Sequence, residues 1–168
     1  IGLADDDAVV PLPLLERGLL LGEMGSCPVL IAPRDPNLQG DGLAREGVET
    51  LRAGWAPDPL ISELLPLQQL LALQQRHPDR QLRLMNISTA AAVDLLGQAD
   101  RQLKASVCWW HLLVDGSSLS STDPGCRVRP SLGGAADRLS LRSALQSGVI
   151  QAVAVHAVPL DEEDMVLP

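Results

Sequence analysis

Few residues in this 168-residue chain are equipped for chemistry. Three histidines (His77, His111, His156) and three cysteines (Cys27, Cys108, Cys126) are the obvious donors and nucleophiles. His111 and His156 fall near the ends of two predicted strands, where a ligand or an acid–base group would be expected. A catalytic zinc needs about three protein donors and an open position, and no third donor accompanies them. Neutral, hydrogen-bonded histidines are the plainer reading. His77 sits in His77-Pro78-Asp79, a helix-to-strand turn. The cysteines are scattered and form no C-x-x-C pair, which argues against a disulfide framework and for a reducing, cytoplasmic setting. Cys108 reads as a small strand hydrophobe.

The acidic runs Asp5-Asp6-Asp7 and Asp161-Glu162-Glu163-Asp164 have the hard oxygen donors that Mg²⁺ prefers. Contiguous acids seldom converge on one centre, so solvated loops explain them better. Ser88 and Ser117 lie in no G-x-S-x-G context that would make either a nucleophile. Asn86-Ile87-Ser88 has the form of a glycosylation sequon, and its predicted strand-end position makes that coincidental.

The elements that would position these residues alternate. Pro28–Ile31, Leu82–Ile87, Lys104–Trp109 and Val149–Val155 read as short apolar strands, with a first strand ending near Leu3. Helices are expected over Pro13–Met24, from Asp58-Pro59 toward His77, from Ser88 or Thr89 through Leu96, and from Asp137 to about Gln146. Pro66 should kink or restart the second of these. Its Leu/Gln run, Leu64–Gln75, fits an outer helix with one apolar stripe. Asn37–Trp55 and Asp115–Gly134 read as long polar loops of the functional kind. Such alternation predicts an α/β protein with a parallel sheet, leaving a doubly wound sheet and a barrel both open. A complete (β/α)₈ barrel takes about 250 residues, so a barrel here would be a partial one, with N- and C-terminal parts of a parent missing.

Composition narrows function. The net charge of −8 repels phosphate backbones, and no basic cluster interleaves with aromatics, so nucleic acid is not an expected partner. With neither Phe nor Tyr, the rings are Trp55, Trp109 and Trp110, and the core must be Leu, Val, Ile and Ala. No apolar run is long enough for a membrane span.

Against that frame, several pieces in chain order resemble the dihydroorotases, cyclic amidohydrolases with a (β/α)₈ metallo-hydrolase barrel. Val29–Asp35 is similar to the family's strand ending in H-P-x-D. Arg45-Glu46-Gly47 followed by Gly54–Glu63 is similar to its Arg-Glu-Gly stretch and G-x-P-G-x-P-x-x-[SA]-E. Leu84–Ala90 resembles H-V-S-T-A, and Val107–Leu113 resembles V-T-x-H-H-L-L. Asp123–Leu132 with Asp137-Arg138 resembles D-P-N-x-x-x-x-P-P-L and D-R, and the last strand with Glu162-Glu163 resembles D-H-A-P and the E-E beyond it.

The resemblance implies a zinc enzyme that cyclises N-carbamoyl-aspartate reversibly to dihydroorotate in pyrimidine biosynthesis. It also implies which positions should hold the metal, and those have changed. Ala32 and Asn86 stand where the family has zinc-binding histidines, and Val155, beside His156, stands where it has a metal-binding Asp that is also the general base. Gly125 replaces the substrate-contacting Asn of D-P-N, and Trp110 replaces the first His of the H-H pair. Ala and Val donate nothing to a metal, and without zinc the water that it would acidify to a pKa of about 7 is lost.

No cofactor is therefore expected, and the resemblance leaves Arg45, Asn86, Gly125 and Pro130 as candidate substrate contacts. His111 and His156 remain as retained catalytic candidates. The first expectation is a non-catalytic homologue, a structural or regulatory partner of aspartate carbamoyltransferase or of an active dihydroorotase, with homo-oligomerisation left open. It predicts apolar infill at the strand ends, as Trp109, Trp110 and Val155 suggest. The second is an amidohydrolase with altered, metal-free chemistry at His111 or His156, which predicts polar groups converging there. An unrelated small-molecule-binding α/β domain is a distant third.

Overall fold

The computed structural model describes residues 2–4, 10–21, 25–99, 103–120 and 124–155. Through them run β1 (Leu3–Ala4), α1 (Leu12–Leu20), β2 (Val29–Ile31), α2 (Pro36–Gln39), β3 (Ala44–Arg45), α3 (Val48–Ala53) and β4 (Pro57–Asp58). There follow α4 (Ile61–Arg76), β5 (Leu82–Leu84), α5 (Ala90–Gln98), β6 (Lys104–Cys108), α6 (Trp110–Leu113), α7 (Ala135–Ser147) and β7 (Ala152–Ala154).

The main sheet is parallel throughout, in the order β1-β2-β5-β6-β7. Its strands are laid down in chain order without reversal. A doubly wound sheet reverses direction at a switch point, whereas right-handed crossovers that always advance the same way put every helix on one face. The order therefore resolves what periodicity left open: this is part of a barrel wall. Ile31, Leu82, Leu84, Ala105 and Val107 face the helices and are buried against Leu67 and Leu70 of α4, Leu96 of α5 and Leu141 of α7. Each Leu, Ile or Val among them contributes about 1.5–3 kcal/mol on burial, which is how a core without Phe or Tyr holds together.

Two local details carry the frame. Pro66 does not break α4, which runs unbroken from Ile61 to Arg76. An ordinary residue 66 would donate its N–H to the carbonyl of Ser62; that carbonyl instead accepts from the Asp35 N–H at 2.9 Å, so the bond proline cannot make is replaced from the neighbouring segment. Arg80 closes the other end of the layer. Its guanidinium donates to the carbonyls of Leu19 and Leu21, each at 2.8 Å, and of Gly25 at 2.5 Å, a cationic cap on the C-terminus of α1.

Other boundaries shift from expectation. α1 ends at Leu20, and the expected end at Met24 lies outside the described residues. The stretch 37–55 is no plain loop: it holds α2, β3 and α3, and β3 pairs in parallel with β4 as a separate small sheet. Gly42 is pressed so close to Asp58 that a Cβ would meet its backbone at 2.6 Å. Asp58 does not cap α4, because its carboxylate is taken by Arg45 and Ser62. Thr89 does cap α5, accepting from Ala92 N–H at 3.2 Å. Asp137 stands inside the first turn of α7 rather than at its cap; its two oxygens accept from Gly134 N–H and from Ala90 N–H, each at 2.8 Å, so one carboxylate pins the starts of α5 and α7 together. Among the described residues no helix is long and apolar enough to cross a membrane.

Candidate functional site

In a parallel barrel the strand C-termini are where chemistry is built. Here Ala32 directly follows β2, and Asn86 lies two residues beyond the end of β5. Between them lies a cavity of about 10 Å³, lined by Ala32, Arg34, Arg45, Glu63, Asn86 and Pro130 together with Pro33 and Met85. That is room for about one water. The structure thus brings together four of the sequence-predicted positions: Ala32, Arg45, Asn86 and Pro130.

Its floor is a buried charge cluster. Arg45, at the end of β3, sends Nη1 to Asp58 Oδ1 at 3.0 Å, to Ser62 Oγ at 2.8 Å and to the Pro59 carbonyl at 3.3 Å. Its Nη2 reaches Ser88 Oγ at 2.9 Å and lies 3.6 Å from Glu63 Oε2. Ser62 donates to Asp58 Oδ1 at 2.6 Å, and the Ser88 N–H donates to Glu63 Oε1 at 2.7 Å. Every member is nearly inaccessible to solvent. Burial pushes the Glu63 carboxyl above its ordinary range, and Arg45 and the bonds from Thr89 and Ser88 offset only part of that. Three polar atoms of this cluster make no hydrogen bond, Arg45 Nε, Asp58 Oδ2 and Glu63 Oε2, and of these residues Arg45 and Glu63 line the cavity. Glu63 is the residue sequence reasoning missed; its signal was the closing E of the motif that begins at Gly54.

Asn86 adopts a left-handed backbone, φ 58°, a conformation asparagine tolerates better than most residues. Its N–H donates to Ser106 Oγ at 3.2 Å. Pro130 follows a cis peptide bond in the segment opposite.

The remaining candidates do not join this cavity. His111, in α6, is buried, and neither ring nitrogen makes a hydrogen bond of good geometry, the Ser131 and Pro130 backbone standing beside the ring. Burial lowers its pKa to about 4 against a smaller opposing effect of the Ser131 and Pro130 backbone. It is a neutral ring packed beside the strand end. Val155 is 72% exposed, and Gly125 lies in a 3₁₀ turn, Pro124–Cys126; neither lines the cavity. Trp109 and Trp110 pack on each other with ring centroids 4.4 Å apart and do not line it either. His156, Asp5-Asp6-Asp7, Asp123 and Asp161–Asp164 lie outside the described residues. The expected infill by Trp109, Trp110 and Val155 is therefore not what lines this cavity, whose walls mix Ala32, Pro33, Met85 and Pro130 with Arg34, Arg45, Glu63 and Asn86. The charges are, however, largely spent on one another.

A zinc ion does not fit this set. The Ala32 methyl offers no lone pair, Asn86 offers an amide in place of an imidazole, Arg34 and Arg45 are cations, and the one carboxylate, Glu63, faces Arg45 at 3.6 Å. Among the described residues no three His, Cys, Asp or Glu side chains gather as a metal site.

No family model matches the chain. It is 37% identical over 166 residues to a probable dihydroorotase-like protein of Synechocystis sp., covering 92% of this chain and 37% of that protein. It is 35% identical to the dihydroorotase of Mycobacterium leprae, covering 97% of this chain and 39% of that one. The D-hydantoinase of a Bacillus sp. AR9 superposes with a TM-score of 0.77 at 18% identity, over 95% of this chain and 38% of the hydantoinase. The chain thus spans little more than a third of the length of these relatives.

Proposed function

This chain is a homologue of the dihydroorotases and dihydroorotase-like proteins of the hydantoinase/dihydroorotase amidohydrolase family, and we propose that it is a segment of a longer barrel protein that serves pyrimidine biosynthesis without catalysing the ring closure itself. The observation that carries this reading is the filled strand-end cavity. Where a hydrolytic site needs donors and space, this one has an alanine, an asparagine and a space of about 10 Å³. Arg45, the candidate substrate contact at this cavity, is committed to Asp58, Ser62 and Ser88. The role that remains is structural or regulatory, as a partner of aspartate carbamoyltransferase or of a catalytic dihydroorotase in the cytoplasm.

The test is cyclisation of N-carbamoyl-aspartate by the full-length protein purified alone with zinc supplied. We expect no turnover above buffer, together with co-purification of a pathway enzyme. Turnover would overturn the non-catalytic reading, and purification free of both enzymes would overturn the partner role.

One observation favours a metal-free hydrolase as the second reading. Burial raises the proton affinity of the Glu63 carboxyl, with Arg45 opposing it only in part, and a desolvated carboxyl at a cavity wall is a group suited to holding and passing a proton. Under that reading Glu63→Gln abolishes hydrolysis of dihydroorotate while leaving the fold intact.

A further inference from the structure

The face of the sheet turned away from the helices carries its own message. Strand partners across a parallel sheet point the same way, and alternate residues point oppositely. Ile31, Leu84 and Ala105 are in register on the helix face, which puts their neighbours Leu30, Arg83 and Lys104, also in register, on the other. Leu30 is half-buried there, and Arg83 and Lys104 are exposed. Ser106 and the alanines of β7 flank them. Lys104 is the single lysine of the 168 residues. It stands one strand spacing, about 4.8 Å, from an arginine, and among the described residues neither side chain has an ion-pair partner.

Two like charges directly opposite one another on adjacent strands destabilise the pair. The inside of a closed barrel makes this worse, because the lumen is packed with side chains and excludes water. Burying one unpaired cation there is strongly unfavourable. Among the described residues the sheet also ends in two unpaired edges, β1 and β7, which a closed barrel does not have.

We propose that this face is covered by β-strands of the same polypeptide lying outside residues 1–168, and that those strands present inward carboxylates to Arg83 and Lys104, forming an interior ion cluster at the strand starts, the end of the barrel opposite the candidate site. The inference rests on the reading of the chain as part of a longer barrel, and adds to it the chemistry of the surface that closes the barrel.

The sign of one substitution decides it. With nothing opposite, Lys104→Glu would turn a repulsive pair into an attractive Arg83–Glu pair and raise the unfolding midpoint of the full-length protein. With carboxylates opposite, the same change sets acid against acid, lowers the midpoint by several degrees, and does so less at pH 4, where carboxylates protonate. Acetylation of wild-type Lys104, read by peptide mapping, keeps the proposal testable if the variant does not fold. We expect native labelling slowed at least about tenfold relative to the unfolded chain. A raised midpoint, or labelling at the unfolded rate, overturns the ion cluster. Intact mass separates the two ideas: a polypeptide of no more than 168 residues ends the longer-barrel reading itself, whereas a longer polypeptide with a stabilising Lys104→Glu ends only the carboxylate pairing.

Discussion

Two buried polar regions stand at the same end of this sheet and solve the same problem in opposite ways. Around Arg45, charges are taken inside and paired: a guanidinium is held among Asp58, Glu63, Ser62 and Ser88. At His111 the group is taken inside and kept neutral, with burial lowering its pKa to about 4. Pairing ties the excursion from β3 through α4 to the end of β5, so it fixes a loop. Neutrality ties nothing, but makes the His111 region a liability in acid. Buried charge gives the barrel end its geometry, and buried neutrality gives it a pH limit.

The strongest way to break the contrast is to remove the cation. Arg45→Met leaves Asp58 and Glu63 facing each other in a water-excluded site, and breaking a buried pair of this kind costs about 3–5 kcal/mol. The urea midpoint of the full-length protein should fall accordingly, and the loss should shrink in acid as the Glu63 carboxyl, held above its ordinary range by burial, takes up a proton. A loss of under about 1 kcal/mol would mean that the cluster is solvated and that the comparison fails.

His111 comes next. Its unfolded pKa is near 6.5 and its folded pKa about 4. Between those values the unfolded chain binds a proton that the native state refuses, so stability rises with pH across the window and is lost as pH falls through it. A shift of this size amounts to about 3 kcal/mol by pH 4. Because neither ring nitrogen makes a hydrogen bond of good geometry, His111→Leu should leave stability at pH 7 nearly unchanged and flatten the acid limb. Denaturation midpoints from pH 4 to 7 read both effects.

Asp137 sharpens the comparison from outside, because it holds the β5 side and the α7 side in register without being buried charge. Asp137→Ala leaves the Gly134 and Ala90 N–H groups without their acceptor, an expected loss of about 1–2 kcal/mol. Asp137→Asn should recover part of it. Amide exchange at the starts of α5 and α7 should accelerate together in the alanine variant, and acceleration at one helix alone would show that the two ends are not coupled.

How much of this was legible beforehand follows from range. Alternation of short apolar strands with helices gave the parallel sheet, and motif order pointed to a barrel. Ala32, Arg45, Asn86 and Pro130 were picked out by comparison with a motif, and they do meet at one cavity. What stayed hidden depends on contacts distant in sequence. Nothing in Pro66 reveals that Asp35 will donate to the carbonyl it leaves free. Asp58 looks like a helix cap until Arg45 claims it. The stretch 37–55 reads as loop because its polar residues and glycines hide elements too short for periodicity to register. The apolar infill inferred from Trp109, Trp110 and Val155 failed for the same reason: their placement beside the cavity was assumed from chain order.

The smallest effect tests whether Glu63 belongs wholly to the paired region. Its carboxyl is held above its ordinary range by burial, so between its unfolded and folded pKa values the native state binds a proton that the unfolded chain releases. The slope of stability with pH is then negative in that window: its contribution is full below the unfolded value and is lost as pH rises through the folded one, opposite in sign to His111. Glu63→Gln keeps an acceptor for the Ser88 N–H while removing the ionisation. It should cost little in acid and become neutral or stabilising toward pH 7, whereas the wild type declines. Parallel pH profiles for the two proteins would place the titration elsewhere, and Glu63 would then be an ionised partner of Arg45 like Asp58, making that region purely one of paired charge.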